Sequence, residues 1–234
     1  MPTSQPQNHP FNPSSFSVTI DQPDDRENQP CKASNNLMNK NYALFPFLLM
    51  LLAPFAAPQN PAAASILKPP KGSQVALVVF EDLECPDCRR AAPLVVDAGK
   101  TYKIPVVRYD FPLPMHPWSF DAAVFARYFA NQNPDLGVDF REYIFQNQPE
   151  INKANLRTYV ERFATEHKVD LPFAVDPQGK LAAAVTADKD LGTRVGIEHT
   201  PTIYVVSNKN PSRPFVEVVD RSQLFQLIDT MKRN

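Results

Sequence analysis

The chain has 234 residues, with 24 Lys+Arg against 25 Asp+Glu, a balance that leaves no strongly basic surface for a nucleic acid or other polyanion. Only 6 residues are Gly, none of them before Gly72, against a usual share of ~7%; no Gly-rich phosphate cradle or GxGxxG turn can be built, and nucleotide-binding enzymes of those classes are excluded. Proline is doubled instead, 25 residues in all against the usual ~5%, and residues 1–37, rich in Pro, Asn, Gln and Ser, do not read as a folded domain.

From Met38 a short polar stretch with Lys40, an apolar run over 43–57 and Ala- and Pro-rich residues up to Ser65 follow one another in the order of a secretory signal peptide. The run is shorter than the ~20 apolar residues of a membrane helix, and Pro46 and Pro54 interrupt it; retention as an anchor is the alternative. We read Met38 as the true start, residues 1–37 as a misassigned or disordered extension, and residues 38–64 as the signal peptide. Pro58 hinders cleavage directly after Ala57, so Ala62-Ala63-Ala64 is the expected site. The mature domain, residues 65–234, then carries 21 Lys+Arg and 21 Asp+Glu and is long enough for one sizeable core. It loses Cys31 and keeps Cys85 and Cys88, an even pair in a periplasmic or otherwise extracytoplasmic, disulfide-permissive compartment.

Val75 to Phe80 is a continuous apolar run, rich in β-branched residues, that suits a strand buried on both faces. A helix is expected directly after it, with Pro86 in its first turn, a kink at Pro93 and a stop near Gly99. Ile104 to Tyr109 is a second strand, and strand, helix, strand in about 35 residues reads as a βαβ unit with parallel strands. The middle is helical: Trp118, Ala122, Phe125 and Phe129 share one face, as do Leu156, Tyr159, Val160, Phe163 and Ala164, and 181–185 is a further Ala-rich segment. Pro134, Pro149, Pro172 and Pro177 divide this block into short helices. Strands return over 202–206 and 215–219, and a last helix opens at Asp220 as N-cap with Leu224, Leu227, Ile228 and Met231 on one face. The order predicts an α/β fold, a central four-stranded sheet with a helical insertion over about 115–195.

Cys85-Pro86-Asp87-Cys88 opens a helix directly after a buried strand. The first sulfur lies where free N–H groups and the helix dipole favour an anion, so Cys85 is the expected nucleophilic thiolate and Cys88, one turn in, the resolving thiol. This spacing lets a mixed disulfide on Cys85 be attacked from within the protein. A zinc site is the first alternative, but it wants four ligands, and the mature chain offers no second CxxC and only His116, His167 and His199; no metal and no cofactor are expected. A purely structural disulfide, the second alternative, would gain little from closing so short a loop.

The 75–88 segment, Asp110-Phe111-Pro112-Leu113-Pro114 with His116-Pro117, and His199-Thr200-Pro201-Thr202 before a strand together resemble the DsbA-like branch of the thioredoxin superfamily, over nearly all of 70–234. The resemblance implies a thioredoxin fold with an inserted helical subdomain, a cis Pro201 facing the CxxC, and substrate binding at Thr200 and Pro201, where a peptide would dock as an added strand; a strand-entry turn is the plain alternative. Two departures stand out. Relatives often hold a buried acid six residues before the first cysteine, and here that position is Val79; Glu81, Asp82 and Glu84 are the nearest acids, read as a solvated loop or a proton relay. Strongly oxidising relatives place His in the dipeptide, where this chain has Asp87.

His116 and Trp118 read as structural rather than as a substrate surface, and His199 as a solvated loop residue. Arg89 and Arg90 are candidate thiolate stabilisers of small effect. Pro86 and Asp87 are the expected pKa-tuning positions. The functional expectation is an exported thiol–disulfide oxidoreductase acting on cysteine-containing exported proteins, monomeric, with no nucleic-acid partner, recycled by a further redox partner for which a membrane protein is one candidate. The alternative is a non-catalytic thioredoxin-fold binding module or metallochaperone of the cell envelope. Four carboxylates within seven residues, at Glu81, Asp82, Glu84 and Asp87, predict repulsion of the thiolate: a Cys85 pKa nearer thioredoxin's ~7 than a strong oxidant's ~3.5, and a potential on the reducing side of about −150 mV.

Overall fold

A computed structural model describes residue 63 and residues 66–233; the expected extension over 1–37, the apolar core of the leader and Cys31 lie outside the described residues. The strands are β1 (Val75–Glu81), β2 (Val106–Asp110), β3 (Thr202–Ser207) and β4 (Phe215–Glu217). The α-helices are α1 (Pro86–Tyr102), α2 (Ser119–Gln132), α3 (Pro134–Asn147), α4 (Leu156–Glu166), α5 (Lys180–Val195) and α6 (Leu224–Arg233). The sheet order is β2-β1-β3-β4. β1 runs parallel to β2, with Leu77 opposite Val106, and antiparallel to β3, which pairs antiparallel with β4.

β1 is apolar along nearly its whole length because helices cover both of its faces. Successive side chains point to opposite sides of a sheet. Val75, Leu77 and Val79 pack with Ala91, Val95 and Ala98 of α1 and with Leu224, Ile228 and Met231 of α6. Ala76, Val78 and Phe80 pack on the other side with Phe111, Val195 and Ile197. The third core is helical: the rings of Phe129, Phe140 and Phe163 meet pairwise at 4.8–5.1 Å, in a cluster that also holds Leu83, Cys85, Cys88 and Trp118.

Several expected boundaries move. α1 does not stop near Gly99: it runs 17 residues through Pro93 to Tyr102 and is capped by Lys103 with φ 51°. Gly99 is required instead for close approach, since a Cβ there would lie 2.7 Å from Val106 Cγ2 on β2. Val219 is 86% exposed, and β4 ends at Glu217. Between β2 and β3 the chain carries α3 as well as the three expected helical segments. Asn133, whose side chain accepts from the Asp135 N–H, caps α3, and Pro134 stands in its first turn. Asp220 caps as expected, accepting from the Ser222 N–H at 2.9 Å, but a short 3-10 turn over Arg221–Gln223 precedes α6.

The helical insertion is fastened to the sheet by charge. Glu81 and Asp110 end β1 and β2 opposite each other, and both are buried, so two like charges lie side by side out of water. Arg141 from α3 bridges them, Nη1 to Glu81 at 3.0 Å and Nη2 to Asp110 at 2.6 Å. Arg108 adds a contact to Glu81 at 2.5 Å, and Arg127 from α2 reaches Asp110 at 2.6 Å and also pairs with Asp188 of α5. Burial works against the Arg141 charge, yet Asp110 and Glu81 together raise its pKa.

Candidate active site

Cys85 is the N-cap of α1, with φ −72° and ψ 119°, and Pro86 follows in the first turn, where its missing N–H is no loss. Both cysteines are free thiols and both are buried. The Cys85 thiol donates to the Thr200 carbonyl at 3.3 Å across 115 positions of sequence, and the Thr200-Pro201 bond is cis. The Asp82 N–H donates to Cys88 Sγ at 3.4 Å. Cys85, Cys88, Pro86, Asp87, Thr200 and Pro201 therefore converge where α1 begins and β3 is entered.

The two sulfurs are electrostatically unlike. Hydrogen bonding from the Cys88 thiol is the largest influence on Cys85; against the opposing cost of burial, that bond, the Thr200 side chain and the N–H groups of Cys88 and Asp87 pull its pKa from 9.0 to about 5. The Thr200 hydroxyl is buried and has no hydrogen-bond partner beside the neutral thiol, so it is the donor that a thiolate recruits. Cys88 moves the opposite way: burial first, then its bond to Cys85 and the Cys85 charge, push its pKa far above the usual thiol value. One sulfur is thus prepared to be an anion and the other to stay protonated.

The expected acidic repulsion is not among the main influences on Cys85, and each of the four carboxylates has partners of its own. Glu81 lies between Arg108 and Arg141. Asp82 accepts from the Glu84 N–H at 2.8 Å and the Leu113 N–H at 2.7 Å, bonds to His116 Nδ1 at 2.6 Å and accepts from the Ser119 hydroxyl. Glu84 accepts from the N–H groups of Trp118 and Ser119. Asp87 holds Arg221 at 2.5 Å and Arg90 at 3.0 Å, and its pKa is lowered, chiefly by the Arg221 hydrogen bond. A Cys85 value of about 5 lies between thioredoxin's ~7 and a strong oxidant's ~3.5; Arg141, Arg108 and Arg221, which pair with Glu81 and Asp87, are distant in the chain and left no sign beside these acids in the sequence.

The acids are also not a solvated loop. Asp82 is buried and ties the segment before Cys85 to the segment before α2. His116 serves this clamp, and Trp118 is core. His199 is exposed, and its carbonyl accepts from the Thr202 hydroxyl at 2.8 Å. Gln148 was not singled out by sequence, yet its buried amide donates to the carbonyls of Leu83 at 2.8 Å and Cys85 at 3.1 Å, fixing the approach to the CxxC from the helical insertion. No periodicity or motif marks it. Arg221 was likewise missed, since only folding brings it to Asp87. Among the described residues no group of three or more His, Cys, Asp or Glu is placed to hold a metal ion.

A CxxC at the start of a helix that follows a buried central strand, with a cis proline against the first sulfur, defines the thiol–disulfide oxidoreductases of thioredoxin fold. The chain belongs to the thioredoxin family: the model Thioredoxin_4, described as thioredoxin, matches residues 71–217. Its fold is that of DsbA-type structures. It is similar to Wolbachia pipientis α-DsbA1, at 16% identity and TM-score 0.58 over 72% of this chain and 95% of that one. It is similar also to the thiol-disulfide exchange protein α-DsbA2 of the same organism, at 17% identity and TM-score 0.56 over 70% and 84%. The catalytic domain of Proteus mirabilis ScsC gives 18% identity and TM-score 0.56 over 71% and 88%. No curated protein sequence matches the chain.

Proposed function

We propose that this protein is an exported thiol–disulfide oxidoreductase that exchanges disulfides with cysteines of other exported proteins through a mixed disulfide on Cys85. The observation that carries the reading is the opposed pair: Cys85 at about 5 beside the Thr200 carbonyl at 3.3 Å, and Cys88 pushed upward behind it. In the oxidised protein a substrate thiolate attacks Cys85 Sγ, the Cys85–Cys88 bond breaks, and Cys88 leaves and takes up a proton. A second substrate thiolate then attacks the substrate sulfur of the mixed disulfide and expels Cys85 as its stable thiolate. Two electrons pass from the substrate dithiol to the protein; the same steps in reverse reduce a substrate disulfide. Thr200 and Pro201 line the place where a substrate backbone would lie beside the sulfur, and Pro86 and Asp87 shape the thiolate's surroundings.

The leader over 38–64, the DsbA-type fold and the even cysteine pair support an extracytoplasmic site of action, periplasmic in a Gram-negative cell, with a separate redox partner that resets the pair. The test is oxidation of a reduced substrate and reduction of insulin by the full chain and by Cys85→Ser. Loss of both activities in the variant is expected, and equal behaviour of variant and wild type would leave a non-catalytic binding module. Amino-terminal sequencing of protein from the cell envelope should give a start between Pro58 and Ser65; residues 1–37 on that protein would remove the export reading.

A further inference from the structure

Asp87 is the one charged residue between the two cysteines, and its carboxylate is not left to solvent. Arg221 Nη2 lies 2.5 Å from Oδ2, and Arg90 Nη2 lies 3.0 Å from Oδ1. Arg90 is a neighbour three residues on in α1 and is the more exposed of the two, with 63% of its side chain accessible. Arg221 comes from 134 residues away, at the turn between β4 and α6, and its side chain is 35% exposed. That turn is held in place: Asp220 caps it through the Ser222 N–H and hydroxyl, and Leu224 and Ile228, one and two turns further, are fully buried against β1 and α1. Arg221 is therefore presented by an element packed into the core, whereas Arg90 reaches Asp87 from a more exposed side chain.

We propose that Arg221 is a positioning residue of the redox site: by holding the Asp87 carboxylate in a charge-assisted hydrogen bond, it keeps that negative charge from opposing the Cys85 thiolate and so sets how oxidising the cysteine pair is. The inference rests on the redox reading of Cys85 and Cys88 given above and adds to it the control of their poise from the β4–α6 turn. A strongly oxidising pair is one whose reduced form is stabilised, and an unpaired carboxylate within the CxxC works against that form. The chain thus tolerates an acid inside its CxxC because a second element supplies the neutralising cation.

The experiment is equilibration of the full chain with glutathione, in which the Cys85–Cys88 disulfide and two glutathione thiols become the dithiol and one glutathione disulfide. Arg221→Gln should shift this equilibrium roughly two- to fivefold toward the protein disulfide, the range a partly exposed ion pair supports; for a two-electron couple that is about 9–21 mV. Arg221→Lys, which keeps a cation, should stay near wild type. In an Asp87→Asn background Arg221→Gln should lose most of its effect, since the positioned carboxylate is gone. The gap between wild type and Arg221→Gln should also narrow at about 1 M salt, where screening acts within ~3 Å. An unchanged equilibrium constant in Arg221→Gln, or an equal shift with and without Asp87, overturns the inference while the redox reading stands. Failure of wild type and every variant to exchange with glutathione would instead remove the redox reading itself.

Discussion

The lowered Cys85 pKa makes the stability of the reduced protein depend on pH in a way that a single substitution isolates. A thiol with pKa 9.0 when unfolded and about 5 when folded is ionised in the native state first, so folding releases its proton over the interval between these values. Its contribution is fully present above about pH 9 and is lost as pH falls through 5. Between those limits it grows by roughly 1.4 kcal/mol per pH unit, and between pH 5, where half of the native thiol is protonated, and pH 7 the gain is about 2 kcal/mol. Cys88 does not interfere in this window: its pKa is raised, so it lowers stability only above the ordinary thiol value, where the unfolded chain ionises and the native chain does not. Urea unfolding of reduced wild type and reduced Cys85→Ser at both pH values measures the difference, because every carboxylate and histidine common to the two proteins cancels. The wild type should gain about 2 kcal/mol more than the variant on going from pH 5 to pH 7, and the oxidised wild type should show no such excess. Parallel pH dependences within about 0.5 kcal/mol, or an ultraviolet thiolate titration with its midpoint above 7, would refute the electrostatic account of the site.

Cys88→Ala should raise the Cys85 midpoint by about 1–2 pH units, the equivalent of one hydrogen bond to a charged acceptor, whereas Cys88→Ser, which keeps a donor, should raise it less; the pH dependence of iodoacetamide alkylation measures both, and an unmoved midpoint in the alanine variant would show that Cys88 is not the principal donor. Arg141→Met should cost about 3–5 kcal/mol in urea unfolding, because Glu81 and Asp110 would face each other in the interior without the cation that bridges them; a loss under about 1 kcal/mol would mean that Arg108 and Arg127 suffice.

The sequence by itself determined those features whose causes are short in range. β1 was legible because a strand covered on both faces needs an unbroken apolar run, and Val75 to Phe80 is one. The order of α1 and β2 after it followed from segment length and spacing, and so did the place of Cys85 at the start of that helix. Asp220 carried its own cap signal. The amphipathic faces of α2 and α4 were legible for the same reason: their periodicity repeats within a few turns. The resemblance carried by the CxxC and by Thr200-Pro201-Thr202 then named the fold class.

The tertiary structure alone decided the electrostatics. Four acids near the CxxC looked like a repulsive flank because their neighbours in sequence are few in cations, but Arg141 lies 60 positions from Glu81, Arg221 lies 134 from Asp87 and His116 lies 34 from Asp82. Gln148 reaches the Leu83 and Cys85 carbonyls over more than 60 positions. Such pairs leave no periodic trace, since a side chain that meets a partner once, across a packed interface, imposes no pattern on its own segment. Gly99 shows the same limit at the backbone: along the chain it reads as a helix stop, and only the approach of Val106 on the neighbouring strand makes it a spacer inside a helix that continues to Tyr102. Short-range order sets which atoms can react, while the partners that fix their charge are chosen by the packing of distant segments.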